Sequence, residues 1–197
     1  MIAEARRVVL ESGATTTVEC WGDAGPAILC VHGISSSRRD FTRLGEALAS
    51  THRVFAYDQR GHGDAETTAP MTLDVLAADL RSVADSIGTV AAVVGHSWGG
   101  AVALVGGPKI ARALVLVDPM IRVAAGPFGA WDLRERLAAL KIPTTVLLAG
   151  VESVVAAGDL SQASPLVRVE TLHDHGHTLH RTAFERFAEV VREAVPA

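Results

Sequence analysis

The sequence predicts an α/β protein: a doubly wound, mostly parallel sheet with helices on both faces. Three observations predict it. Short continuous apolar runs, such as Ala27–Val31 and Ala113–Val117, read as strands covered on both sides. Between them lie stretches whose apolar residues recur at helical spacing, and this alternation implies crossover connections between parallel strands. Polar, often glycine-bearing clusters follow the runs, at the carboxyl strand ends where such sheets gather their chemistry.

Arg7–Ser12 and Thr15–Trp21 alternate in part across Ser12-Gly13 and predict an N-terminal antiparallel hairpin. Ala27–Val31 is a central strand ending in His32-Gly33-Ile34. Ser37 and Asp40 form an S-x-x-D helix start, with Phe41, Leu44 and Leu48 on one face behind it. Val54–Tyr57 is the next strand and ends in Asp58-Gln59-Arg60-Gly61-His62-Gly63. Leu73, Leu76, Leu80, Val83 and Ile87 mark a helix that Thr72 caps and Gly88 ends. Val90–Val94 is a buried strand running into Gly95-His96-Ser97-Trp98-Gly99-Gly100, and Ala101–Val105 suits a helix.

The strand Ala113–Val117 stops at Asp118-Pro119. Asp132 and Glu135 open a helix whose buried side is Leu133, Leu137 and Leu140. Thr145–Ala149 is a strand ending at Gly150, and a weakly helical stretch is expected around Val155–Ala163. Leu166–Leu172 is the last strand. Thr182 and Glu185 predict a capping box for the last helix, with Phe184, Phe187, Val191 and Val195 as its buried stripe.

The 197 residues suit one domain over 1–197 with one substantial core. Composition is 49% hydrophobic and 20% charged, with a net charge of −4, so nothing favours nucleic acid or an anionic membrane surface. Cys20 and Cys30 both fall inside apparent strands and read as buried small hydrophobes, not a disulfide framework. There is no signal-peptide apolar core at the N-terminus and no apolar stretch of bilayer length. The expectation is a cytoplasmic protein with no membrane partner. The oligomeric state is not read from the sequence.

Strand, Gly95-x-Ser97-x-Gly99, helix is the context of a nucleophile elbow. A serine on so sharp a turn needs small neighbours at both ends, and Gly95 and Gly99 supply them. A serine hydroxyl is a poor nucleophile until a base takes its proton, and histidine is the natural base near neutrality. Of the eight histidines, His177 is the candidate, in Gly176-His177-Thr178 between the last strand and the last helix; His175 is the runner-up. His173, His175, His177 and His180 lack the spacing of a recognised zinc site, so no metal is expected. The turn at His32-Gly33-Ile34 suits an oxyanion-hole loop, its donors being the backbone N–H groups of Ile34 and Trp98.

The ordered set His32-Gly33, Asp58-x-Arg60-Gly61-His62-Gly63, Gly95-His96-Ser97-Trp98-Gly99-Gly100, Leu116-Val117-Asp118-Pro119 and Gly176-His177 resembles the α/β-hydrolase superfamily, from about Pro26 to the C-terminus. The resemblance implies the α/β-hydrolase fold, a Ser–acid–His triad in that chain order, acyl-enzyme chemistry and no cofactor. Asp58, Arg60 and His62 look like that family's structural turn after the strand, and they are not assigned to catalysis. Members usually carry the acid in a G-x-x-D pattern, but here Gly150-Val151-Glu152-Ser153 places serine at that position. Asp118 and Glu152 are the alternative acids, with Asp118 slightly favoured, and a triad with no carboxylate is the third alternative.

Many members also insert a helical cap after the strand that here ends at Asp118. The short segment before Asp132 leaves no room for a substantial cap, so an open, shallow site is expected. Trp98, Met120, Ile121, Phe128 and Trp131 are candidates for its apolar rim, Met120 and Trp131 foremost as substrate-binding residues. The resulting expectation is a serine hydrolase of a carboxylic ester, lactone or thioester, acting on a small-molecule or carrier-tethered acyl substrate. The alternatives are other triad chemistry on the same fold (acyl transfer, carbon–carbon bond cleavage, peroxide chemistry, a lyase or cyclisation step) and a non-catalytic ligand-binding protein.

Overall fold

The computed structural model describes residues 4–67, 70–126 and 129–195. Its main sheet holds eight strands: β1 (Glu4–Val9), β2 (Thr15–Trp21), β3 (Ala27–Val31), β4 (Arg53–Tyr57), β5 (Val90–His96), β6 (Ala111–Val117), β9 (Thr144–Ala149) and β10 (Val167–Leu172). Their order across the sheet is β1-β2-β4-β3-β5-β6-β9-β10. Strand β2 is antiparallel to both β1 and β4, and every other neighbour is parallel. The expected doubly wound α/β sheet with an N-terminal hairpin is therefore the observed one. The order doubles back between β3 and β5, so the loops after these two strands leave the same edge side by side.

Helices α1 (Thr42–Leu48), α2 (Leu73–Ile87), α3 (Trp98–Gly106), α4 (Arg134–Ala138), α5 (Leu179–Thr182) and α6 (Phe184–Ala194) connect the strands. The apolar faces of α2, α3 and α4 enter one core layer, and those of α1 and α6 enter the other. Strands between the two layers bury residues on both faces, which is why β3 reads as an unbroken apolar run. Thr72 caps α2 by accepting from the Val75 N–H at 3.4 Å, and Gly88 closes it at φ +87°. No helix among the described residues is long and apolar enough to cross a membrane.

Three local expectations give way. Ser37 precedes a short 3₁₀ turn, Arg38–Phe41, without a side-chain cap bond; Ser36 donates to Asp40 instead, at 2.8 Å. The Val155–Ala163 stretch forms turns, since Gly158 stands at φ +86° and Asp159 accepts from the Ala156 N–H at 3.0 Å. Thr182 caps nothing: Ala183 separates α5 from α6, and the Thr182 hydroxyl meets His175 Nδ1 at 3.1 Å.

Among the described residues between β6 and α4 there is no helix. Two short strands, β7 (Arg122–Val123) and β8 (Trp131–Asp132), pair as an antiparallel ribbon.

Candidate active site

Ser97 stands between β5 and α3 at φ +54°, ψ −118°. Few side chains tolerate such a backbone, and the surrounding structure must hold it there. Its N–H donates to Val117 O at 2.9 Å, and its carbonyl accepts from the Met120 N–H at 3.0 Å. A Cβ on Gly95 would come 2.8 Å from Gly100 Cα and from Ala103 Cβ, and one on Gly99 would run into the carbonyls of Val31 and His32. Both neighbours must therefore be glycine for the turn to close.

Four non-glycine residues among the described ones have positive φ: Ser35, Ser97, Asp118 and Glu152. Each follows shortly after one of the strands β3, β5, β6 and β9, so the strain gathers at one sheet edge.

There the Ser97 hydroxyl lies 2.9 Å from His177 Nε2. On its other side His177 Nδ1 lies 2.6 Å from Asp118 Oδ2. The His177 side chain is 29% exposed, whereas that of Asp118 is wholly buried. Asp118 also accepts from Ser153 Oγ at 2.5 Å, the Val154 N–H at 3.0 Å and the Ala149 N–H at 3.2 Å. Burial alone would raise its pKa, but the bonds from His177, Ser153 and the two backbone groups outweigh it and hold the carboxyl below its ordinary value. Asp118 is thus the carboxylate on His177, while Glu152 is exposed. Ser153, at the position where an aspartate was expected, donates to Asp118. His175 turns to Thr182, away from this line.

Ile34 follows β3 and is 43% exposed at the same edge. Trp98 opens α3, so its N–H belongs to the first turn of a helix, the end that carries partial positive charge. The loop behind Ile34 is braced from β4: the Gln59 N–H donates to His32 Nε2 at 2.9 Å, Gln59 Nε2 to His32 O at 2.5 Å, and the Ser35 N–H to His62 Nε2 at 3.2 Å. Asp58 accepts from Arg38 and from the Asp64 N–H, and Arg60 pairs with Asp79 of α2 in a buried ion pair. This turn ties the loop after β3 to β4 and to helix α2.

Of the expected rim, Trp98 and Ile121 are corrected: their side chains are 1% and 0% exposed and belong to the core, Trp98 against His62. A residue at the first position of a helix turns back over the sheet, and that direction is not readable from composition. Met120 and Trp131 are half-buried and joined, with Trp131 Nε1 donating to Met120 O at 2.9 Å. Phe128 lies outside the described residues.

Two other histidines matter to the fold. Burial, with a small like-charge contribution from His62, lowers the pKa of His32 from 6.5 to about 4. Burial and then the neighbouring His180 lower that of His96 from 6.5 to about 3. The unfolded chain therefore binds protons that the folded chain refuses, and stability falls as pH drops below 6.5 toward these lowered values. The depressed Asp118 carboxyl adds to the loss at still lower pH. Urea midpoints should be flat between about pH 7 and pH 8 and decline steadily from about pH 6.5 to 4.

A family model described as the alpha/beta hydrolase family matches residues 28–151. Among curated proteins, "Lipase LipV" of Mycobacterium tuberculosis is 38% identical over 109 residues, covering 53% of this chain and 41% of the relative. The "Pimeloyl-[acyl-carrier protein] methyl ester esterase" of Neisseria meningitidis is 38% identical over 120 residues, covering 59% of this chain and 44% of the relative. The chain thus spans less than half the length of these curated relatives. A solved hydrolase structure from Pseudomonas aeruginosa PA01 superposes with TM-score 0.87 at 20% identity, covering 98% of this chain and 99% of that one, a likeness of fold.

Proposed function

Since the chain belongs to the alpha/beta hydrolase family, we propose that it is a serine hydrolase of carboxylic esters, lactones or thioesters. The observation that carries the reading is the continuous line Ser97 Oγ–His177–Asp118, with contacts of 2.9 and 2.6 Å. The lipase and esterase names among the relatives support it.

In this reading Ser97 Oγ attacks the acyl carbonyl while His177 Nε2 takes its proton. Asp118 fixes the tautomer with hydrogen on Nδ1 and stabilises the imidazolium that forms. The N–H groups of Ile34 and Trp98 receive the oxyanion. His177 then protonates the departing alcohol or thiol, leaving the acyl group on Ser97. Water, deprotonated by His177, attacks the acyl-enzyme; the acid leaves and Ser97 recovers its proton. Met120 and Trp131 line the approach of the acyl group. The ribbon β7–β8, in place of a helical cap, leaves the edge accessible to extended or carrier-tethered acyl chains.

A panel of p-nitrophenyl esters and acyl thioesters tests this. The expected result is turnover with a burst of one leaving group per chain wherever deacylation is slower than acylation, and a Ser97-bound acyl group in the intact mass. Hydroxylamine should trap the acyl group as a hydroxamate. No turnover across the panel, combined with no acyl adduct, would overturn the reading.

A further inference from the structure

We propose that Asp40, His96 and His180 bind one divalent transition-metal ion of the zinc class, directly behind His177. The three come from separate elements: the 3₁₀ turn Arg38–Phe41, the end of β5 and helix α5. Their ligand atoms all lie within 4.8 Å of one another. His96 and His180 are 5% and 2% exposed, and the Asp40 side chain is 3% exposed. The two imidazole rings stand 4.1 Å apart, centroid to centroid.

The nitrogens are what point to an ion. Buried polar atoms nearly always have a hydrogen-bond partner, and leaving one without is costly. Yet, among the described residues, His96 Nδ1 has no hydrogen-bond partner, and neither does His180 Nδ1. His96 Nε2 lies 3.0 Å from the His177 carbonyl, which can only accept, so Nε2 carries the proton and Nδ1 the lone pair. His180 Nε2 faces Asp40 Oδ2 at 3.3 Å, and this contact helps hold the Asp40 carboxyl below its ordinary value. Neutral imidazoles and a carboxylate are the ligands that zinc and its neighbours accept, at about 2.0–2.2 Å. Ligands at that distance on one tetrahedral ion stand about 3.4 Å apart, so the set closes by up to about 1.4 Å on binding.

Asp40 keeps its other partners: Ser36 Oγ at 2.8 Å and the Arg181 guanidinium, which is on Oδ1 and itself 56% exposed. Phe41 and Phe187 flank His180 and give the site apolar walls. His96 precedes Ser97, and His180 lies in the turn after His177. A bound ion therefore ties the strand that carries the serine to the loop that carries the histidine. The grouping is invisible in sequence spacing, because only His180 belongs to the histidine-rich stretch.

The test uses chelator-treated full chain, titrated with Zn²⁺ and separately with Co²⁺. Wild type is compared with Asp40→Asn, His180→Gln and a His173→Ala/His175→Ala control, each checked by circular dichroism. Wild type should take up one Zn²⁺ per chain, gain Tm as zinc rises, and show visible cobalt bands of a nitrogen–oxygen site. Asp40→Asn and His180→Gln should bind about 10-fold or more weakly, and the control as wild type does. Undiminished uptake by both ligand variants, or loss in the control, would overturn the site. So would wild type that takes up no ion and shows no cobalt bands, a result that holds even if both ligand variants fail to fold.

Discussion

Ser97→Ala is expected to lower kcat on an acyl ester by about 10⁶-fold, the scale seen when a nucleophile that acts in concert with its base is removed. Alanine cannot form the acyl-enzyme, so the burst should vanish along with the turnover. The substitution keeps the Cβ that the elbow already accommodates at φ +54°, so the fold should survive. His177→Ala should fall to a similar level, and the double variant little further, because nucleophile and base act as one unit. A loss below about 10-fold for Ser97→Ala would mean that another group does the chemistry. Steady-state kinetics with matched active-site concentrations read the result.

Asp118→Asn is the second large effect. The asparagine amide fits the same space, but it offers His177 Nδ1 a hydrogen where a carboxylate accepts one. The wrong tautomer then faces Ser97, and kcat should drop by about 10⁴-fold. Glu152→Gln should change little, since Glu152 is exposed and His177 already has its carboxylate 2.6 Å away. Reversal of this pair, with Glu152→Gln severe and Asp118→Asn mild, would reassign the acid. The comparison is sharp because Asp118 is buried among four hydrogen bonds, so its replacement also loosens the bonds from Ser153 and Val154. Thermal midpoints measured beside kcat separate that structural loss from the catalytic one.

The sheet was legible because buried parallel strands write themselves as apolar runs, and β3, β5, β6 and β9 are such runs. Ser97 was legible because the elbow is local: steric demand falls on Gly95 and Gly99, both within two residues of it. The acid was not, because the choice depends on which loop end reaches His177 Nδ1 in space. Asp118 and Glu152 both sit at positive φ past strand ends, and only packing separates them. Side-chain direction was equally hidden: Trp98 and Ile121 turned into the core while Met120 and Trp131 stayed at its margin.

Two helix starts differ from expectation where a polar side chain found a partner outside the cap. Ser36 in place of Ser37 bonds Asp40, and Thr182 bonds His175. The buried meeting of His96 with His180 and Asp40 joins elements far apart in the chain, and no periodicity announces it.

The central claim is that Ser97 is activated in the free protein by His177. The rate of covalent labelling by a fluorophosphonate, followed by intact mass, measures that activation without a known substrate. One adduct per wild-type chain is expected, located on Ser97, forming orders of magnitude faster than in His177→Ala and absent in Ser97→Ala. Wild type that labels no faster than His177→Ala would contradict it.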